Sequence, residues 1–141
     1  MRDTYYIEET SDQRVTFENQ IMALVNHERV KNGLLPLIMN EKLCSIARLK
    51  CQDMSDWGYC GHQSPIYGSP FDMLTRFGVN YSFAGENVAM GQKSPRSVMD
   101  GWMNSPSHRN AILNSNYKEL GVGYLKGLNG NNYWVQLFIS R

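Results

Sequence analysis

The sequence lacks long apolar runs, and it lacks an excess of charge of either sign. Its apolar stretches, such as residues 21–25, fall far short of the roughly 18–20 residues that span a bilayer, so we expect no transmembrane segment. Lys and Arg number 14 against 13 Asp and Glu, for a formal net charge of +1. Neither half of the chain carries a basic stripe, so a nucleic acid partner has no electrostatic support.

Cysteine is also scarce. Cys44, Cys51 and Cys60 are an odd set, so at least one thiol is unpaired within a monomer. If Cys44 and Cys51 share one helix, they stand roughly 10 Å apart along its axis, too far for a disulfide. We therefore expect buried or spare thiols. The residues after Met1 also lack the apolar segment of a secretory signal peptide.

What is present fits one ordinary domain. The length of 141 residues is too short for two independent cores. The hydrophobic share of 42% is close to the value of roughly 45–50% in globular chains. Residues 1–15 show little periodicity and predict a loose N-terminal arm, whereas residues 16–141 predict a single domain.

Apolar periodicity predicts helices in the first three quarters of the chain. An apolar stripe at i, i+4, i+7 and i+8 begins at Phe17 and predicts a helix, which Gly33 ends. A second helix follows an N-cap at Asn40 and ends near Gly58. Three Ser-Pro pairs each start a further short helix, at residues 69–70, 94–95 and 105–106.

Strand patterns dominate after residue 116. Residues 120–124 and 133–139 favour strands, and the Gly- and Asn-rich segment between them favours a hairpin turn. A further strand is expected within residues 81–90. Gly121 and Gly123 predict a strand that admits a large neighbour from a covering helix. Helices that precede strands, without alternating with them, favour the α+β class.

Three polar segments at element boundaries hold residues that periodicity does not explain. Their chemistry-bearing members are His62, Glu86 and His108. Two imidazoles and one carboxylate form a partial ligand set for a divalent ion such as Zn²⁺, with water completing the shell. The histidines could equally be neutral cleft residues, and Glu86 could fix its turn by accepting backbone N–H groups.

Several motifs then occur in one order along the chain. They are N-x-x-R-x-x-x-G from Asn26, H-x-S-P from His62, G-E-N from Gly85, W-M-x-S-P-x-H-R from Trp102 and G-V-G-Y from Gly121. With these motifs the sequence resembles the CAP superfamily (cysteine-rich secretory proteins, antigen 5 and pathogenesis-related 1; also called SCP-like), in its compact bacterial branch. The resemblance covers roughly residues 17–140. It implies a three-layer α-β-α sandwich with a small, mostly antiparallel central sheet and a large cleft.

The resemblance also implies a cleft tetrad of two His and two Glu, which holds a divalent metal in some members. By motif, His62 and His108 match the two histidines and Glu86 matches the first glutamate. Ser105 stands where the second glutamate is expected. The resemblance therefore implies weakly bound Zn²⁺, or another divalent cation, at His62, His108 and Glu86, and no other cofactor. The polar residues expected to line the cleft are Ser64, Asn87 and Ser105.

Three functions are compatible with such a cleft. We favour a non-catalytic binding module of the extracellular space or cell envelope, whose partner is an envelope component, a peptide or a lipid. The first alternative is a hydrolase, with Glu86 and His108 as candidate catalytic residues. It would use a metal-bound hydroxide, or Ser105 or Ser107 as a nucleophile with a histidine base oriented by Glu86, although both serines also suit helix capping. The second alternative is a structural envelope or spore-coat domain with a vestigial cleft.

Overall fold

The computed structural model describes the backbone of residues 2–141 and the side chains of residues 12–141. Within this range the chain forms five helices and four strands. In chain order they are α1 (Arg2–Lys31), β1 (Ile38–Met39), α2 (Glu41–Trp57), α3 (Pro70–Arg76), β2 (Phe83–Met90), α4 (Pro95–Met103), α5 (Pro106–Ile112), β3 (Glu119–Lys126) and β4 (Asn132–Ser140). None of the described helices combines the length and the apolar character needed to cross a bilayer.

Capping side chains fix the ends of the short helices. The Asn40 side chain accepts the Leu43 N–H at the start of α2, and Gly58 ends this helix in the left-handed region with φ 67°. Ser69 and Ser94 cap α3 and α4 in the same way. The predicted starts of all three helices are therefore confirmed.

The sheet has the strand order β1-β3-β4-β2. Strand β1 runs parallel to β3, whereas the β3–β4 and β2–β4 pairs are antiparallel. All nine residues of β4 are buried. Strand β2 lies at one edge, and the sheet is mostly antiparallel, as predicted.

Helices cover both faces of the sheet. Trp134 and Phe138 of β4 pack into a cluster with α1, α4 and α5, while Val135 and Leu137 pack into a second cluster with α2 and α3. Alternate residues of one strand therefore supply two separate cores. This arrangement is the predicted three-layer α-β-α sandwich.

Helix α2 lies unusually close to strand β3. A Cβ atom added at Gly121 would collide with the backbone of Leu43, and one added at Gly123 would collide with the backbone of Ala47. The two glycines were predicted to admit a large neighbour, and that neighbour is the helix backbone itself. Any side chain at these positions would push α2 away from the sheet.

The N-terminal segment differs from its prediction. A loose arm was expected over residues 1–15, whereas the backbone of residues 2–15 is helical and continuous with the rest of α1. The segment contains neither proline nor glycine, so no residue in it breaks the helix. The domain boundary at residue 16 stays a prediction.

The three thiols match their prediction. Cys44 and Cys51 are buried in α2, Cys60 is exposed, and all three are free. Burial raises the pKa of the Cys44 thiol and that of the Cys51 thiol, so both act as small apolar residues of the core.

Arg29 ties α1 to the segment between α5 and β3. Its buried guanidinium donates hydrogen bonds to the carbonyl oxygens of Leu35, Ile112, Asn114 and Tyr117, at 2.8–3.4 Å. One side chain thus satisfies four backbone acceptors from two distant parts of the chain. The contacts give Arg29 a scaffold role.

Replacing Arg29 with methionine should lower the free energy of unfolding by about 3 kcal/mol or more, because buried carbonyl groups lose a charged donor. Urea denaturation measures the loss. Arg96→Met is the matched control, since Arg96 is exposed on α4 and its loss should change stability by less than about 0.5 kcal/mol. Equal losses in the two variants would contradict the scaffold role.

Candidate functional site

His62 lies in the loop between α2 and α3, and α2 holds this loop at two points. The buried Lys50 amino group donates to the His62 carbonyl oxygen at 3.0 Å. Asp53 accepts a hydrogen bond from the Ser64 hydroxyl at 2.6 Å and a second from Tyr59. Lys50 and Asp53 are three residues apart and therefore share one face of the helix. These contacts with α2 fix the backbone around His62.

Ser64 shapes the loop from beneath. Its hydroxyl oxygen accepts the N–H groups of Ile66 and Tyr67 at 3.0 and 2.9 Å, and its backbone pairs with that of Gly68. The side chain was expected to line the cleft, whereas it is buried and its hydroxyl is engaged by Asp53 and the loop backbone.

Glu86 of β2 orients the His62 ring. The distance between Glu86 Oε1 and His62 Nδ1 is 2.8 Å, and the Glu86 side chain is 1% exposed against 57% for His62. This hydrogen bond raises the pKa of His62. Burial raises the pKa of Glu86, although His62 and the charge of Lys50 act in the opposite direction. Because Nδ1 is engaged, Nε2 is the nitrogen that His62 offers to a ligand.

His108 lies on α5, in the opposite layer. Its Nδ1 is 2.9 Å from the Ser105 hydroxyl oxygen, which explains why Ser105, at the N-cap of α5, makes no capping hydrogen bond. The Asn87 amide donates to the His108 carbonyl oxygen at 3.1 Å and to Gln136 at 3.0 Å. Asn87 was expected to line the cleft, but it is buried and supports α5 from below.

Two neighbouring residues of β2 thus contact two histidines that lie in opposite layers. Glu86 and Asn87 point to opposite faces of the sheet, and one contacts His62 while the other contacts His108. Burial lowers the pKa of His108, and the nearby charge of His62 lowers it further. Within the described residues, no three His, Cys, Asp or Glu side chains form a ready metal cluster.

Sequence reasoning missed Lys50, Asp53 and Gln136 as supports of this site. A signal existed for Lys50, because it falls four residues after Ile46 and seven after Leu43, within the apolar stripe of α2. A lysine is rarely buried unless its amino group is paired, so a lysine in such a stripe indicates a buried polar contact. Nothing in the local pattern singles out Gln136, which lies in a strand buried on both faces.

Replacing Glu86 with glutamine should lower the pKa of His62, because only the ionised carboxylate favours the protonated ring. In the unaltered chain, the His62 pKa is expected above the ordinary 6.5 and the His108 pKa below it. The stability that the raised His62 pKa contributes is present below the ordinary pKa of 6.5 while Glu86 stays ionised, and it is lost as pH rises through the raised value. NMR titration of the rings measures both values.

Glu119→Gln is the matched control for this titration, since Glu119 pairs with Arg141 at 3.1 Å and not with a histidine. It should leave the pKa of His62 unchanged. An unaltered His62 pKa in Glu86→Gln would show that Glu86 does not charge the ring.

Comparison with known proteins agrees with this architecture. Residues 22–138 match the model of the CAP family, the cysteine-rich secretory protein family. YkwD of Bacillus subtilis (strain 168) is 50% identical over 125 residues, which are 89% of this chain and 48% of YkwD. The membrane protein YlbC of the same organism is 38% identical over 128 residues, 91% of this chain and 36% of YlbC. The chain spans about half of these relatives or less.

Solved structures show the same fold. An extracellular protein containing a SCP domain from Bacillus anthracis is 30% identical with a TM-score of 0.88, covering 95% of this chain and 43% of that one. An outer surface protein from Borrelia burgdorferi is 23% identical with a TM-score of 0.78, covering 85% of this chain and 89% of that one. With a family model that matches most of its length, this chain belongs to the CAP family, as a bacterial member.

Proposed function

We propose that this domain is a non-catalytic binding module of the bacterial cell exterior, whose cleft holds a divalent cation between His62 and His108. The observation that carries the proposal is the hydrogen bonding of the two imidazole rings. Each has Nδ1 engaged, one by Glu86 and the other by Ser105. Such outer partners orient metal-binding histidines and leave Nε2 for the ion.

The donor set suits a weakly held ion. Two imidazoles are compatible with Zn²⁺ or another divalent transition metal, and water would fill the remaining positions. We assign Glu86 a supporting role in this set, because its Oε1 contacts the His62 ring and raises the basicity of that ring, and we count no ligand from its Oε2, which is buried and has no hydrogen-bond partner among the described residues. Structural and catalytic zinc sites have three or four protein ligands, so two should bind less tightly.

The cell exterior is proposed from the relatives. One solved relative is described as an extracellular protein and another as an outer surface protein. A domain exposed there meets envelope components, peptides and lipids, and the cleft would present the cation to one of these.

Titration with ZnCl₂ at pH 7.5, followed by calorimetry, should show binding that His62→Ala and His108→Ala both abolish. Glu86→Gln should weaken binding about 10–100-fold, the usual effect of losing an outer partner. Affinity should fall as pH drops through the raised pKa of His62, because a ligating imidazole must be neutral.

His27→Ala is the matched control, since His27 is exposed on α1 and its loss should leave the zinc affinity unchanged. If the unaltered chain gives no heat of binding, the proposed cation site is contradicted, and the result favours the structural domain with a vestigial cleft.

One observation favours a hydrolase as the second candidate. The Ser105 hydroxyl is 2.9 Å from His108 Nδ1, within the range for a nucleophile and its base. The expected third member does not join this pair, since Glu86 contacts His62. The pair would act as a dyad, with His108 held in place only through its backbone by Asn87.

A fluorophosphonate probe distinguishes the two candidates, because it labels activated serines. We expect no labelling of the unaltered chain. Labelling that disappears in Ser105→Ala and persists in Ser107→Ala would establish the dyad and contradict the non-catalytic proposal. Ser107 is a suitable control because it is exposed two residues away on the same helix.

A further inference from the structure

One side of strand β2 is open to a further strand. In the described sheet its only neighbour is β4. The N–H of Gly91 donates to the Asn132 carbonyl, and this pair continues the register of the two strands. Alternate residues of an antiparallel strand turn their backbone groups to the same side. Odd-numbered residues of β2 therefore bond to β4, while Ala84, Glu86 and Val88 direct their backbone groups to the open side.

Part of this open side is already covered. The Trp102 indole donates to the Val88 carbonyl oxygen at 3.2 Å, which agrees with the direction assigned to Val88 and closes that end of the strand. The backbone groups of Ala84 and Glu86 that face the open side have no hydrogen-bond partner among the described residues.

A buried side-chain atom at the same place is also without a partner. Glu86 Oε2 makes no hydrogen bond within the described part of the chain, although the side chain is 1% exposed. Buried polar groups in folded proteins are nearly always paired with protein, water or ligand. Glu86 thus has a buried carboxylate oxygen without a partner, at the same residue whose outward backbone groups are also unpaired within the described part of the chain.

The open stretch lies between the two histidines. Glu86 contacts His62 on one face of the sheet, and Asn87 contacts His108 on the other. The strand becomes accessible towards its start, where Ala84 is partly exposed and Phe83 is 50% exposed. A ligand that enters from this end would meet the strand edge first and the imidazoles next.

We propose that the cleft binds an extended polypeptide segment, which pairs with β2 at residues 84–86 as an added strand. Its backbone would satisfy the outward groups of Ala84 and Glu86, and its side chains would alternate between the His62 side and the His108 side. The inference names the partner of the proposed binding module and rests on that function. A lipid would leave the outward backbone groups unsatisfied.

A phage library of random twelve-residue peptides, selected against the whole chain, tests the proposal. Enriched peptides are synthesised, and their binding is followed by fluorescence anisotropy and by amide hydrogen exchange of the chain. They should slow exchange at Ala84 and Glu86. N-methylation at alternate peptide residues should weaken binding by about fivefold or more per lost hydrogen bond, while methylation at the intervening residues should have little effect.

Ala84→Pro tests the same contact from the side of the protein. Proline removes the outward N–H without removing a bond to β4, as edge strands permit, and should weaken peptide binding by about fivefold or more. Ala84→Val keeps the N–H and is the matched control. Circular dichroism reports whether Ala84→Pro folds, and the N-methyl series gives the answer if it does not.

Two results would overturn the strand proposal: a library that yields no binder, or binders that tolerate every N-methyl group and protect amides elsewhere. Zinc titration of the same samples keeps the two proposals separate. Zinc binding without peptide binding would contradict only the added-strand proposal, whereas peptide binding without zinc binding would contradict only the cation proposal.

Discussion

The direct contact between helix α2 and strand β3 is the constraint on which the position of the His62 loop depends. Gly121 and Gly123 leave no Cβ between the strand and the helix backbone, so the helix lies closer than ordinary side-chain packing allows. This closeness brings the later turns of α2, with Lys50 and Asp53, under the loop that carries His62. A substitution at Gly121 or Gly123 that displaces α2 should therefore also displace the loop that carries His62.

The buried charge of Lys50 fits this positioning role. Taking an ammonium group out of water is costly unless it gains partners, and burial accordingly lowers the pKa of Lys50. The partners are the His62 carbonyl at 3.0 Å and the Tyr59 ring, whose centroid is 5.0 Å from Nζ. Glu86 and Asp53 act on the pKa in the opposite direction. The side chain thus balances buried carboxylates while it holds the loop.

The parts of the fold that follow local rules could be predicted from the sequence. Asn40, Ser69 and Ser94 cap their helices because each precedes a regular helical pattern, and the three-layer arrangement followed from motifs in a fixed order. The start of α1 could not be predicted, because a segment without periodicity can still be helical where no breaker occurs. Ser105 also fits a capping pattern, but its hydroxyl contacts the ring of His108, three residues later, instead of a backbone N–H.

Sequence motifs named the candidate residues but not their contacts. Glu86 contacts the His62 ring and its neighbour Asn87 contacts the backbone of His108, and motif order carries no information on which oxygen contacts which nitrogen. Glu86 was expected as a ligand beside the two histidines, and this stays a prediction; its Oε1 contacts the His62 ring, a contact that the motifs did not indicate. Roles of this kind depend on the faces of a strand, and they follow once Glu86 and Asn87 are placed on opposite sides of β2.

The different partners of the two rings make the imidazoles unequal. A carboxylate beside His62 raises the pKa of that ring, whereas a neutral hydroxyl beside His108 leaves burial to lower the other. Between the two pKa values, His62 is charged and His108 is neutral. Under the proposed function, a cation would compete with the proton on His62 at higher pH than with the proton on His108, so the His62 ring would set the upper limit of the pH dependence of binding.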